Sequence, residues 1–321
     1  MERFEGKIAV VTGGGTGMGR QLCRQLTAEG CHVAMCDVSE ENMAQTKALC
    51  EEGAPAGTRV STHVADVSSE ADIVSFQAAV AEAHQTDHVH LVFNNAGIGG
   101  GGSMIVDDRE QWDKTFDVCW GGVYYSTRAF LPMLIAAEEG HLINTSSVNG
   151  FWASIGPSTG HTAYSAAKFA VKGFTEALVN DLRNNAPHVK ASVVMPGHIG
   201  TEIVKNSGKI LGFDPKELDE AGIEQARERI TDFGIDASSW TDDQIRQAMI
   251  ARIEAFETEA PMTAAEAAEV ILRGVREGRW RILVGDDAHV LDEMVRAEPE
   301  NAYEKEFFER FTRKVGWAIG S

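Results

Sequence analysis

Tyr164 and Lys168 stand four residues apart, so on a helix they share one face. A phenol ionises near about pH 10 and is a poor proton acceptor at neutrality. An ammonium one turn away, together with the positive charge of an oxidised nicotinamide, stabilises the phenolate and lowers that value. Tyr164 can then exchange a proton with an alcohol or ketone while hydride passes to or from the nicotinamide. Ser147 follows the run His141-Leu142-Ile143-Asn144-Thr145-Ser146, and its hydroxyl can turn the reacting oxygen toward Tyr164, a reading that the adjacent Ser146 shares on position alone. An isolated Tyr-x-x-x-Lys is also a common surface pattern, so the assignment depends on what surrounds it.

A second constellation lies near the amino terminus, where Thr12-Gly13-Gly14-Gly15-Thr16-Gly17-Met18-Gly19 follows the apolar run Lys7–Thr12 and precedes a helical pattern. Backbone N–H groups at such a helix start can face a pyrophosphate, helped by the positive end of the helix dipole. The contacts expected here come from Thr12, Gly13, Gly15, Thr16, Gly17, Met18 and Gly19. Asp37 ends the next apolar run, where a carboxylate accepts hydrogen bonds from an adenosine ribose and repels a 2′-phosphate. Neither Thr16 nor Val38 supplies a cation for that phosphate, which favours NAD(H) over NADP(H). Asp66-Val67 and Asn94-Asn95-Ala96-Gly97 close the following two strands on the same edge, so Asp66, Val67, Asn94, Ala96 and Gly97 are candidate adenine and ribose contacts.

These residues need a frame that brings strand ends together. The β-branched run Lys7–Thr12 reads as a strand buried on both faces, and Cys31–Asp37, Arg59–Val64, Val89–Phe93, His141–Asn144, Val189–Val194 and Arg281–Val284 read as further strands. Helical patterns lie at Gln21–Glu29, Ser69–Ala83, Trp112–Ala137 with an interruption at Gly121-Gly122, Tyr164–Arg183 and Ala264–Glu277. The alternation predicts an α/β fold with a doubly wound, mainly parallel sheet of about seven strands. Ala166, Ala170, Phe174, Leu178 and Leu182 read as an apolar stripe facing the sheet or a partner subunit.

Residues 202–262 break the alternation. They are acidic and helix-rich, without a clear strand, and include the capping signature Thr241-Asp242-Asp243-Gln244 ahead of a face formed by Ile245, Met249, Ile253 and Phe256. We read this stretch as a helical lid inserted into one domain spanning 1–321, with residues 286–321 a carboxy-terminal helical extension.

Composition limits the function classes. With 29 basic and 48 acidic residues the net charge is −19, which disfavours nucleic acid and anionic lipid as partners. No uncharged run approaches the about 18 residues of a membrane span. Five cysteines, with no Cys-x-x-Cys pair and no secretory leader ahead of them, point to a reducing cytoplasm. No His, Asp, Glu or Cys cluster has metal-ligand spacing, so no metal is expected.

Taken together, Thr12-Gly13-x-x-x-Gly17-x-Gly19, Asp66, Asn94-Asn95-Ala96-Gly97, Ser147, Tyr164-x-x-x-Lys168 and Pro196-Gly197-x-x-x-Thr201 resemble the short-chain dehydrogenase/reductase family in its single-domain branch. The resemblance implies a Rossmann-type fold and nicotinamide chemistry at Ser147, Tyr164 and Lys168. It also implies cofactor contacts from Pro196, Gly197, Ile199 and Thr201 beside the nicotinamide, and a homodimer or homotetramer built partly on the Trp112–Ala137 and Tyr164–Arg183 helices. Two departures stand out. Relatives usually place an asparagine of a proton relay where this chain has Cys119, which leaves Asn149 as a substitute to test. The segment Phe151–Ala163 is unusually long and largely apolar, so Phe151, Trp152 and His161 are expected to join Ser147 and Tyr164 around the substrate. A loop histidine bonded only to backbone or solvent is the commoner role for His161. The resulting expectation is an NAD-dependent oxidoreductase for a bulky, apolar secondary alcohol or its ketone. A ketoacyl-type reductase and an NAD-sensing protein with impaired catalysis are the alternatives.

Overall fold

The computed structural model describes residues 1–157, 159–232 and 235–316. Five successive buried residues form β1 (Ile8–Thr12), which is possible only for a strand covered on both faces. The glycine turn leads into α1 (Gly17–Ala28), and the unit repeats through β2 (His32–Asp37), α2 (Glu40–Gly53), β3 (Val60–Val64), α3 (Glu70–His84) and β4 (Leu91–Asn94). A loop then leads to α4 (Arg109–Phe116), α5 (Gly122–Ala136), β5 (Gly140–Thr145), α6 (Thr162–Asn185) and β6 (Val189–Pro196). The chain continues through β7 (Ile199–Gly200), α7 (Ile203–Leu211), α8 (Glu220–Asp232), α9 (Asp242–Thr258) and β8 (Met262–Thr263). It closes with α10 (Ala264–Arg276), β9 (Arg281–Val284), α11 (Asp286–Ala297) and α12 (Lys305–Val315).

The main sheet has seven strands in the order β3-β2-β1-β4-β5-β6-β9. Every pairing is parallel, from Ile8 opposite His32 to Pro196 opposite Val284. All carboxyl ends therefore share one edge, and the order reverses beside β1, where such sheets open a ligand crevice. One core packs α3, α5 and α6 on one face through Ile73, Phe130 and Leu178; the other packs α1 and α10 through Leu22, Leu26 and Ile271. No helix among the described residues is long and apolar enough to cross a membrane.

Several local expectations are revised. Residues 40–53, with no helical reading in the sequence, form α2: Ser39 caps it by accepting from the Asn42 N–H, but only Met43, Thr46 and Cys50 are buried, too sparse a stripe to read. The long helix is interrupted where the glycines stand, by a π-turn over Asp117–Gly121 that ends at Gly121 with α5 starting at Gly122. Gly122 is small for another reason, since a Cβ there would lie 2.7 Å from Val67. Along α6 the buried positions are Ala163, Ser165, Ala167, Lys168, Val171, Thr175, Leu178 and Leu182, while Ala166 is exposed and Ala170 and Phe174 are half-buried. A strict spacing of four drifts off the core face of a helix of 3.6 residues per turn.

The segment 202–262 holds α7, α8 and α9. The Thr241 and Gln244 reciprocal cap is present, and Ile245 is buried with Ile223, Ala226 and Ala237 between α8 and α9. At its two ends, β7 and β8 form a small parallel pair that the sequence pattern does not reveal.

Candidate active site

The turn after β1 is set by backbone approach. Gly13 has φ +66°, and a Cβ on it would lie 2.8 Å from the Ala96 Cα; one on Gly19 would lie 1.9 Å from the Gly13 carbonyl oxygen. No other residue fits either place. The hydroxyl of Thr12 accepts from the N–H of Asn95 (3.0 Å) and of Ala96 (3.1 Å), and the Asn95 side-chain amide donates to the Thr12 and Gly13 carbonyls. The loops after β1 and β4 are thus one unit. Asp37 at the end of β2 accepts from the Gly15 N–H and the Ser39 N–H, both at 3.0 Å. Arg20 ties the Gly15 carbonyl to α2 through Thr46. Across the crevice Glu202 accepts from the Gly17 N–H at 3.1 Å, and Asn206 donates to the Thr16 hydroxyl. An acidic side chain thus stands at the amino terminus of α1.

On the far side of the switch point, α6 brings Tyr164 and Lys168 to the edge where β5 ends in Thr145. Lys168 is buried, donates from Nζ to the Thr145 carbonyl at 2.9 Å, and has its ammonium 5.3 Å from the Tyr164 ring centre. Burial pushes the Tyr164 phenol above its ordinary value; the Lys168 charge opposes this, Cys119 adds to it, and hydrogen bonding by Ser147 opposes it again. Ser147 sits on the adjoining turn with its hydroxyl accepting from the Asn149 N–H at 3.1 Å. His161 packs its ring 4.8 Å from the Tyr164 ring, and burial lowers its pKa to about 4, so it is neutral.

A family model for short chain dehydrogenase matches residues 7–210, from β1 through most of α7. The chain belongs to the short chain dehydrogenase family. It is 32% identical over 297 residues to a putative oxidoreductase, SadH, of Mycobacterium tuberculosis, covering 92% of each chain. It is 34% identical over 228 residues to levodione reductase of Leifsonia aquatica, covering 69% of this chain and 79% of that one. Among solved structures it is similar to a short chain dehydrogenase/reductase of Burkholderia phymatum in complex with NAD, with a TM-score of 0.74, 27% identity, and 94% and 96% of the two chains covered.

Within this short chain dehydrogenase some assigned residues take other places. The Asn94 side chain is buried and donates to Thr127 and Asn144, locking β4 to β5 and α5; Asn95, which the sequence reading passed over, is the one that grips the glycine turn. Asp66 is engaged by Ser68 and by Lys114 at 2.7 Å; burial opposes ionisation, but these hydrogen bonds hold its carboxyl below the usual range. Val67 packs against Gly122, whereas Val38 is exposed. After β6, the Gly197 N–H donates to Val284, and the space a Cβ would need is filled by the Asp287 carboxylate. Asp287 also accepts from the His198 N–H, while the His198 ring donates to the Phe256 carbonyl of α9. Ile199 pairs with Met262, and Thr201 abuts Gly17.

Cys119 lies in the π-turn with its thiol donating to the Ile98 carbonyl at 3.2 Å. Asn149 is not a relay substitute: its side-chain amide donates to the Trp152 and Ser154 carbonyls. Trp152 is not presented to a substrate either. Its indole is 1% exposed, among Phe307, Phe308 and Phe311 of α12. Phe151 lies under the Arg281 guanidinium, 5.7 Å away, on the same carboxy-terminal side. A glycine wall, Gly99–Gly102, is packed by Ser207 and Leu211 of α7 at Gly99 and Gly100 and by Ala163 and Gly160 at Gly101 and Gly102. That near-featureless glycine run gave no signal of its role as a docking surface.

Proposed function

We propose that the protein interconverts a secondary alcohol and a ketone with NAD(H), with Tyr164 as the proton-transfer group, Ser147 orienting the substrate oxygen and Lys168 holding charge beside the phenol. The observation that carries this reading is the buried Ser147–Tyr164–Lys168 cluster at the strand edge next to the glycine turn. The residues fit a dinucleotide: the turn leaves no room for a Cβ at Gly13 or Gly19, α1 opens behind that turn with its positive end, and Asp37 closes β2 with a carboxylate able to accept from ribose hydroxyls. When bound, the nicotinamide supplies the hydride donor or acceptor and, oxidised, a positive charge.

The protein's own part is electrostatic. Because burial raises the Tyr164 pKa despite Lys168, the protein's own residues favour a protonated phenol that can serve as an acid. An added positive charge nearby is what turns it into a base for alcohol oxidation. Lys168 cannot move away, because the Thr145 carbonyl holds it.

The apolar substrate is supported by Leu211 against the glycine wall and by the exposed Met104, Ile105 and Val106 next to Gly101 and Gly102, and a relative is named for reduction of levodione. The segment 202–262 serves as the lid. Asp37, with no neighbouring cation at Val38, supports NAD rather than NADP. The net charge of −19 disfavours docking of an acidic acyl carrier, and Cys119 keeps a hydrogen bond in the π-turn, which favours an active enzyme over an impaired sensor. Half-exposed Tyr124 on α5 and Phe169 on α6 support self-association through those helices, and five buried free cysteines support a reducing, cytoplasmic setting. The experiment is a panel of cyclic and aryl secondary alcohols with NAD or NADP, followed by the absorbance of reduced nicotinamide. Turnover confined to small charged hydroxy acids, or to NADP, overturns the respective half of the reading.

A further inference from the structure

The turn after Ser147 is tied to the carboxy-terminal helices by an unbroken set of hydrogen bonds. The Ser147 hydroxyl accepts from the Asn149 N–H; the Asn149 side chain donates to the carbonyls of Trp152 (2.9 Å) and Ser154 (2.8 Å); the Trp152 indole Nε1–H donates to the Ala302 carbonyl at 2.6 Å, ahead of α12. The next N–H, of Ala153, donates to the Tyr303 hydroxyl. Around the indole, Phe308 is stacked at 18° and Phe311 meets it edge-on with centroids 5.8 Å apart. Val148, directly after Ser147, belongs to the same apolar cluster as Leu291 of α11.

A serine hydroxyl rotates freely unless something fixes it, and a fixed acceptor position also fixes where its own proton points. Here the fixing N–H belongs to a turn whose shape depends on Trp152. A side chain that is 1% exposed and hydrogen-bonded 150 residues along the chain cannot shift without shifting that turn.

We infer that Trp152 is a positioning residue for Ser147: α11 and α12 hold the indole, the indole holds the 149–154 turn, and the turn aims the serine hydroxyl. This rests on the proposed role of Ser147 at the reacting oxygen.

Trp152→Phe keeps an aromatic ring but removes the donor to Ala302. It is expected to lower kcat by about ten- to hundredfold, as misplacement near a reacting atom does, with unchanged NAD affinity measured by calorimetric titration. In a Ser147→Ala background the same change is expected to have no further effect. An equal loss in both backgrounds, or no loss in either, overturns the inference. Trp280→Phe, at a half-exposed indole outside the cluster, is the control that leaves kcat unchanged. Hydrogen exchange gives a readout independent of turnover: the Asn149 and Gly150 amides are expected to exchange at least tenfold faster in Trp152→Phe, with the α6 amides unaltered. Unchanged exchange at Asn149 overturns the inference even if the protein oxidises no alcohol, a result that would separately refute the proposed function. Should Trp152→Phe not fold, Tyr303→Phe, at an exposed site, is expected to speed exchange at Ala153 and Asn149, and its failure to do so counts equally against the inference.

Discussion

The two halves of the crevice are built by different means. On the β1–β4 side the geometry is made of backbone: Gly13 against Ala96, Gly19 against the Gly13 carbonyl, and the N–H groups of Asn95 and Ala96 on one hydroxyl. On the β5–β6 side it is made of side chains reaching over long sequence distances, as Trp152 does to Ala302 and Asp287 does to His198. A backbone-built half tolerates almost no added atom, even where its contacts join distant stretches of chain, as Gly13 and Ala96 do. A side-chain-built half tolerates conservative exchange yet depends on remote segments. The first suits a ligand of fixed shape, the second a substrate that differs between relatives.

The largest test of this contrast lies on the side-chain half. Tyr164→Phe removes one oxygen and leaves the packing beside His161 in place. Turnover is expected to fall by about 10²- to 10⁴-fold, the usual worth of a positioned proton-transfer group, while NAD affinity stays within about threefold. Steady-state kinetics alongside NAD titration by tryptophan fluorescence checks both numbers. Turnover within a few-fold of the parent would refute the role of the phenol.

On the backbone half the matching change is Asp37→Ser, which removes a carboxylate while leaving a small polar group. NAD binding is expected to weaken by about ten- to hundredfold, the range of a charged hydrogen bond, with kcat at saturating NAD altered far less. The NADP-to-NAD preference is expected to rise, because the charge that repels a 2′-phosphate is gone. Equal loss for both cofactors would mean that Asp37 only braces Gly15 and Ser39.

How much of this was legible beforehand follows the same division. The five inner strands were readable because strands buried on two faces must be continuous apolar runs, and the glycine turn because close backbone approach admits only glycine. Asn94 and Asn95 could not be told apart: both are small amides at a strand end, and only the sheet pleat decides which turns into β5 and which turns toward β1. Trp152 and Phe151 read as pocket residues because an aromatic loop beside Ser147 offers no local sign that Ala302, 150 residues later, and the helix α12 after it will cover the indole. Likewise α2 buries so few side chains that its pattern was silent, whereas the Thr241 cap of α9 was visible because it is a local device.

Glu202 joins the two halves and gives a smaller effect. Its carboxylate accepts from the Gly17 N–H, where α1 presents its positive end. Any anion bound there meets that negative charge, so Glu202→Gln is expected to tighten NAD binding by up to about tenfold at low salt, by relief of like-charge repulsion at partly exposed range. Raising ionic strength is expected to narrow the gap between parent and variant. Weaker binding in the variant, measured by calorimetry, would show that the carboxylate organises the loop more than it opposes the ligand.

The smallest effect concerns stability and contrasts two places within the side-chain half. Burial lowers the pKa of His161, beside Tyr164, to about 4, and that of His141, bonded to Ser192 inside the sheet, to about 3. In the unfolded chain both return to about 6.5. Between those values the unfolded state binds more protons, so stability is complete above about pH 6.5 and is lost as pH falls toward 4. Melting temperature is therefore expected to drop steadily over that window. His161→Gln is expected to flatten the drop by a few degrees between pH 6 and 4.5, because it deletes one of the groups that must stay neutral. It sits on a loop that the side-chain half can rearrange. His141→Gln lies between two strands, so its own loss of packing is expected to lower the melting temperature at pH 7 as well, even as the acid slope shrinks. A slope unchanged by His161→Gln would leave the histidine beside the tyrosine without a share in the acid sensitivity, which would then fall to His141 and to His84 and His90, whose burial also lowers their pKa to about 4.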